Sequence, residues 1–137
     1  MNKSSSRVCA FKIIYEYLFH SDFDYDLSLN SVLDCENELA ELNEEELQYV
    51  KSVFDCVVGN RVSIDEKIIT NLKDNKKLTD IYALDYSLVV LAIASIDYMG
   101  EDKSLIINEV VRIAKKYSTD KSYAFINGFL SSIYGEQ

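Results

Sequence analysis

The sequence predicts an all-α protein of six to seven helices, and three observations carry that prediction. Proline is absent and glycine appears only 4 times in 137 residues, which removes the turn chemistry a β-sandwich or barrel needs. Apolar residues recur at helical spacing between short polar breaks, with no repeat at a solenoid period. The composition, 48% hydrophobic and 27% charged, is that of a folded chain with one sizeable core, read as a single domain over residues 1–137.

Each element follows from its pattern. Arg7 to His20 sets Phe11, Ile14 and Leu18 on one stripe, with Ala10 and Tyr17 beside it. Ser21 to Asp26 is a loose polar segment, and a short helix is expected around Leu27 to Asp34. Asn43 reads as an N-cap with Glu46 three positions on, in capping-box fashion. Leu47, Val50, Phe54 and Val57 form the buried face behind it, and Gly59 suits its stop. Ile64, Ile68 and Leu72 mark the next helix, before a second loose segment at Asp74 to Asp80. From Asp85 to Met99 the chain is apolar almost all round, which suits a central helix enclosed by others and ended by Gly100. Ser104 is expected to cap a helix with the stripe Ile106, Val110, Ile113 and Tyr117. Thr119 or Asp120 is expected to cap the last helix, which buries Ile126, Leu130 and Ile133. Gly128 inside it costs about 1 kcal/mol relative to alanine, for which close helix packing is the expected reason.

The net charge of −9 is unevenly placed. Residues 21–50 hold ten acids and no Lys or Arg, while residues 103–123 carry Lys103, Arg112, Lys115, Lys116 and Lys121 against Glu109 and Asp120. The first twenty residues add Lys3, Arg7 and Lys12 against Glu16. An acidic lobe and two modestly basic stretches result. The longest apolar run, Leu88 to Ile96, is too short for a membrane span, and Lys12 and Glu16 break any signal-peptide pattern, so a cytoplasmic protein with no membrane association is expected. Cys9, Cys35 and Cys56 lack CxxC spacing and read as reduced thiols.

No catalytic constellation appears. His20 is the sole histidine, and no glycine-rich phosphate loop, paired metal motif or nucleophile elbow occurs. Asp22, Asp24 and Asp26 alternate like the start of a calcium loop without its glycine and closing glutamate, so a solvated turn is expected. The chain reads as a non-enzyme with no cofactor or metal.

The carboxyl-terminal third, LIINEVVRIAKKYSTDKSYAFINGFL from Leu105 to Leu130, resembles the NusB family of bacterial transcription antitermination factors. Ile107-Asn108-Glu109, Ala114-Lys115, and then Ser122, Phe125, Ile126, Asn127, Gly128 and Leu130 carry the likeness, with Cys9-Ala10, Ile14-Tyr15 and Leu91-Ala92 upstream. The resemblance implies an all-helical fold of two small perpendicular subdomains, approximately residues 1–80 and 81–137, and no catalysis. It implies binding of boxA-type single-stranded RNA together with NusE, a ribosomal small-subunit protein, and through them an indirect link to the RNA polymerase elongation complex. A protein-interaction module with weak or no RNA binding is the alternative, and a homodimer a further one, since some family members form it.

The same resemblance implies an RNA-binding set of Lys3, Arg7, Lys115, Lys116, Lys121, Ser122, Phe125 and Asn127, and a partner-binding set of Tyr15, Glu16 and Asp85. A physical case stands beside it. With Ile126 at the centre of the last helix's buried face, Phe125 falls at the border, and Lys121 lies four residues before it on the same side. A border aromatic beside a cation can stack an unpaired base while the cation meets phosphate, or the ring can tuck into a helix–helix groove as core; position alone leans to the core, and the resemblance to RNA. Carboxylates at Glu16 and Asp85 would complement a basic ribosomal protein, with an exposed charge at Glu16 and a helix cap at Asp85 as the equal alternative. The chain departs from the family where Lys3-Ser4-Ser5-Ser6-Arg7 replaces an arginine-rich run, and where Val90 and Ala94-Ser95 replace arginine and Tyr-Glu. Each missing phosphate contact weakens binding and flattens its salt dependence.

Overall fold

The computed structural model describes residues 3–135. They form eight α-helices: α1 (Lys3–Phe19), α2 (Tyr25–Leu33), α3 (Asn37–Ala40), α4 (Glu44–Gly59), α5 (Arg61–Asn71), α6 (Ala83–Ile93), α7 (Lys103–Tyr117) and α8 (Ser122–Tyr134). A 3-10 turn at Leu78–Asp80 precedes α6 and a π-helical turn at Ala94–Tyr98 follows it. The count exceeds the expected six to seven because α3, only four residues long, is too short to show a period in sequence. The chain divides into two compact units, Met1–Asp55 and Cys56–Gln137, so the division falls within α4.

In the first unit α1 contributes Cys9, Ala10, Phe11, Ile13 and Ile14 to the buried core. Burial pushes the Cys9 thiol up to about 12, with Cys35 raising it further against the opposing charge of Lys12. The Ser21–Asp26 segment is more ordered than expected. Asp24 Oδ1 accepts the Leu27 N–H at 3.0 Å and caps α2, which starts at Tyr25. Phe23, Tyr25 and Tyr17 gather on Phe54 of α4, with ring centroids 5.4, 4.9 and 5.3 Å away. The Asn43–Glu46 capping box forms as expected, with bonds of 2.8 and 2.9 Å.

In the second unit every residue of α6 from Asp85 to Ile93 is buried, and α5, α7 and α8 pack on it. Such an enclosed helix needs an apolar surface all round, which the run from Leu88 to Ile93 supplies. Its α-helical winding stops at Ile93, where the Met99 N–H reaches back to the Ala94 carbonyl at 3.1 Å, and Gly100 at φ 70° ends the run. The π turn directs Asp97 to Lys67 Nζ (2.7 Å) and to the Tyr134 hydroxyl (3.0 Å). Burial and the Asp97 charge push the Tyr134 phenol well above its ordinary range.

Two caps differ from expectation. Asp102, not Ser104, caps α7, accepting the Leu105 N–H at 2.9 Å; Ser104 already lies inside the helix. Lys121 takes the N-cap position of α8 instead of Thr119 or Asp120, and no side chain caps it. Among the described residues no helix is long and apolar enough to cross a membrane, and no cluster of three His, Cys, Asp or Glu is placed to hold a metal.

Candidate nucleic-acid interface

The residues of α8 follow directly from its period. Ser122, Ile126, Phe129 and Leu130 face inward. At 100° per residue, Phe125 and Asn127 then lie on opposite flanks of Ile126. Phe125 is half-buried, while Lys121 and Asn127 are exposed. The Phe125 ring stacks on Phe129, with centroids 5.7 Å apart and planes 18° off parallel. On the other flank Lys115 of α7 sets its ammonium 4.9 Å from the ring of Tyr123, which is itself exposed. Lys116 sits 5.2 Å over Tyr117.

Ser122 and Asp85 occupy the interior of this unit. Ser122 is 2% exposed and Asp85 6%. The Ser118 hydroxyl donates to Asp85 Oδ1 at 3.0 Å, and the Ser118 and Thr119 hydroxyls share hydrogen bonds with Ser122 Oγ at 2.8 and 2.9 Å. This network ties the first turn of α6 to the turn between α7 and α8. Both side chains are thereby engaged within the fold.

Beside Phe125 a groove of about 410 Å³ opens, lined by Phe125, Gly128 and Phe129 of α8 and by Lys73, Asp74 and Lys76 of the loop after α5. Gly128 is exposed, and nothing lies within 4 Å of where a Cβ would stand. Close helix packing is therefore not the reason for this glycine, contrary to expectation; the position faces the open groove.

In the first unit Lys3 places its ammonium 5.1 Å from the Tyr49 ring. Arg7 is 3% exposed, with its guanidinium 5.9 Å from the same ring, so its charge lies within the unit. Tyr15 is half-buried and packs on the exposed Phe19 at 5.2 Å. Glu16 lines a cleft of about 240 Å³ with His20, Asp22, Phe23, Asp24 and Ser28. The Ser28 hydroxyl is buried there without a hydrogen-bond partner among the described residues.

The sequence profile of the NusB family matches residues 4–135. The chain belongs to the NusB family. It is 31% identical over 134 residues to the transcription antitermination protein NusB of Natranaerobius thermophilus, covering 97% of this chain and 94% of that protein. Its fold is that of T. maritima NusB, with a TM-score of 0.83 at 22% identity over 100% of this chain and 93% of the other. A crystal structure of the antitermination factors NusB and NusE in complex with dsRNA contains the same fold, with a TM-score of 0.82 at 22% identity over 96% and 94% of the two chains.

For this member of the NusB family, sequence reasoning missed Lys73 and Lys76. They sit in a segment that shows only as loose polarity, far in sequence from the aromatics they accompany. The signal that could have found them is the run Lys73-Asp74-Asn75-Lys76-Lys77, three cations within five residues beside two turn formers.

Proposed function

We propose that this NusB-family chain is a transcription antitermination factor that binds boxA-type single-stranded RNA together with NusE, and so bears on the RNA polymerase elongation complex. The observation that carries the RNA part is Phe125, a half-buried aromatic at an open flank of α8 with the exposed Lys121 one turn before it. Lys115, Lys116, Lys121 and Lys3 supply phosphate contacts, and Asn127 a base-edge contact from the opposite flank. Ser122 and Arg7 position those groups from within. For the protein partner, Tyr15 and Glu16 stand beside the acidic cleft, and Asp85 holds the α7–α8 turn from inside. Family membership and the solved relative bound to NusE and dsRNA support this reading. In it the chain performs no catalysis and works in the cytoplasm.

Gel-shift titration at low salt with a boxA oligonucleotide, with and without NusE, tests it. Binding strengthened by NusE is expected, and no binding to either partner removes the reading. Phe125→Ala should weaken the RNA complex by about 5- to 150-fold, the range for loss of one stacked base. The burial of Arg7 over Tyr49 favours a second reading, a protein-interaction module with little RNA affinity of its own. It predicts capture of NusE with a flat response to RNA.

A further inference from the structure

We infer that the cleft where the end of α1 meets the start of α2 is a seat for one alkylammonium group, with the Ser28 hydroxyl as its buried anchor. The group arrives on a free diamine or on a lysine of a protein partner, and its chemistry is the same in both. The second source rests on the partner reading above; the first does not. The seat lies wholly within the first unit.

The charge of the cleft is the first observation. Glu16, Asp22 and Asp24 line a space of about 240 Å³, and the lining contains no Lys or Arg. Asp24 gives one oxygen to the Leu27 N–H at 3.0 Å, so its charge answers the positive end of α2. Glu16 and Asp22 have no such employment, and neither forms an ion pair among the described residues. Two carboxylates thus face the cleft in surplus.

Ser28 supplies the second observation. It lines the same cleft at 4% exposure, and its hydroxyl has no hydrogen-bond partner among the described residues. An unpaired buried hydroxyl destabilises a fold, and a bound group that offers a hydrogen bond removes that penalty. Acids alone in a turn are ordinary solvated charge. Acids around an unpaired buried oxygen make a place for a charged N–H donor.

The lining also selects the kind of cation. A metal ion requires several oxygens converged on one point, and no group of three His, Cys, Asp or Glu among the described residues meets that condition. A guanidinium fork is best matched by both oxygens of one carboxylate, and one oxygen of Asp24 is already engaged. An ammonium radiates three N–H bonds to separate acceptors, such as a hydroxyl and a carboxylate. The other walls are apolar. The Phe23 ring is fixed by Phe54 and Tyr17, with centroids 5.4 and 5.6 Å away, and Leu27 is 70% exposed. Such walls suit the methylene chain behind an ammonium head, which an alkali ion lacks. The volume lies below that of drug-sized sites and fits one such chain.

The test uses the full chain and putrescine, a linear diamine, followed by nuclear magnetic resonance, with ammonium chloride at equal ionic strength as the control. Saturable shifts confined to Glu16, His20 and the Asp22–Ser28 segment are expected with the diamine and not with the control. Ser28→Ala should melt no lower than wild type, because its hydroxyl has no partner to lose, yet bind the diamine about tenfold more weakly. Glu16→Gln with Asp22→Asn should also weaken binding about tenfold. Glu44→Gln with Glu45→Gln makes the same charge change on exposed residues outside the cleft and should leave binding unaltered. An equal loss there would mean general attraction to an acidic segment and would overturn the seat. So would a wild type without diamine-specific shifts, or a Ser28→Ala that binds as well as wild type. Capture of NusE in those cases keeps the partner reading and puts its contacts elsewhere. Where the seat holds, saturating NusE separates the sources: displacement of the diamine identifies a partner lysine, and joint binding a free diamine.

Discussion

Each compact unit has a cleft in which an aromatic ring meets charge, and the two clefts have opposite sign. In the first, Phe23 stands among Glu16, Asp22 and Asp24. In the second, Phe125 and Phe129 stand with Lys73 and Lys76 against the single carboxylate of Asp74. The whole-chain charge of −9 describes neither. Ions in physiological salt screen fields beyond about 8 Å, so a docking phosphate or ammonium responds to the groups lining its own cleft. Opposed clefts suit a chain with two partners of unlike charge, and net charge is a poor guide to which partner a protein takes.

The largest effect that would break this comparison is on the protein partner. Glu16→Lys with Asp22→Lys should weaken capture of NusE by something on the order of 100-fold while leaving RNA affinity, measured without NusE, equal or higher. A parallel loss of RNA binding would mean that the two clefts are not functionally separate. Next in size is the buried network of the second unit. Asp85→Ala removes the acceptor of the Ser118 hydroxyl and should cost about 2 kcal/mol in urea unfolding. A cost near zero would mean that the network is solvated.

A pH-dependent effect follows. Burial pushes the Tyr25 and Tyr86 phenols from 10.0 up to about 12, with the Asp65 hydrogen bond adding to it at Tyr86. The folded state keeps these protons to higher pH than the unfolded chain does. Their contribution is therefore complete below pH 10.0 and is lost as pH rises towards about 12. Tyr134, also pushed up, lies with Tyr86 in the second unit. Circular dichroism under alkaline titration should show Tyr86→Phe with Tyr134→Phe raising the midpoint more than Tyr25→Phe does. Smallest is the capping box of the first unit, where Asn43→Ala should cost about 1 kcal/mol of thermal or urea stability.

Most of the fold was legible because its determinants are local and periodic. The stripe of α1, the Asn43–Glu46 box and the all-round apolar α6 each announce themselves within a few residues. The caps were harder where two good candidates stood close together. Asp102 and Ser104 are both suitable side chains, and only the start of the helix decides between them. The π turn has no period in sequence, and α3 is too short to have one. The border position of Phe125, with Lys121 one turn before it, was legible because the buried face of α8 is plain. The groove around Phe125 was not, since it forms only when α8 meets a loop distant in the chain. The openness at Gly128 depends on that meeting too, which is why the helical pattern suggested packing instead.

The π turn after α6 has a consequence for how this helix tolerates change in length. A wider turn holds one residue more than the α-helical winding around it, and everything after it is rotated by about 100° relative to an unbroken helix. Asp97, within that turn, reaches Lys67 and Tyr134. Deletion of a single residue between Ala94 and Tyr98 would relax the segment into ordinary helix without opening a gap, but it would swing the carboxylate off both partners. The site thus behaves as an absorbed insertion, whose removal the backbone would accept and the side chains would not.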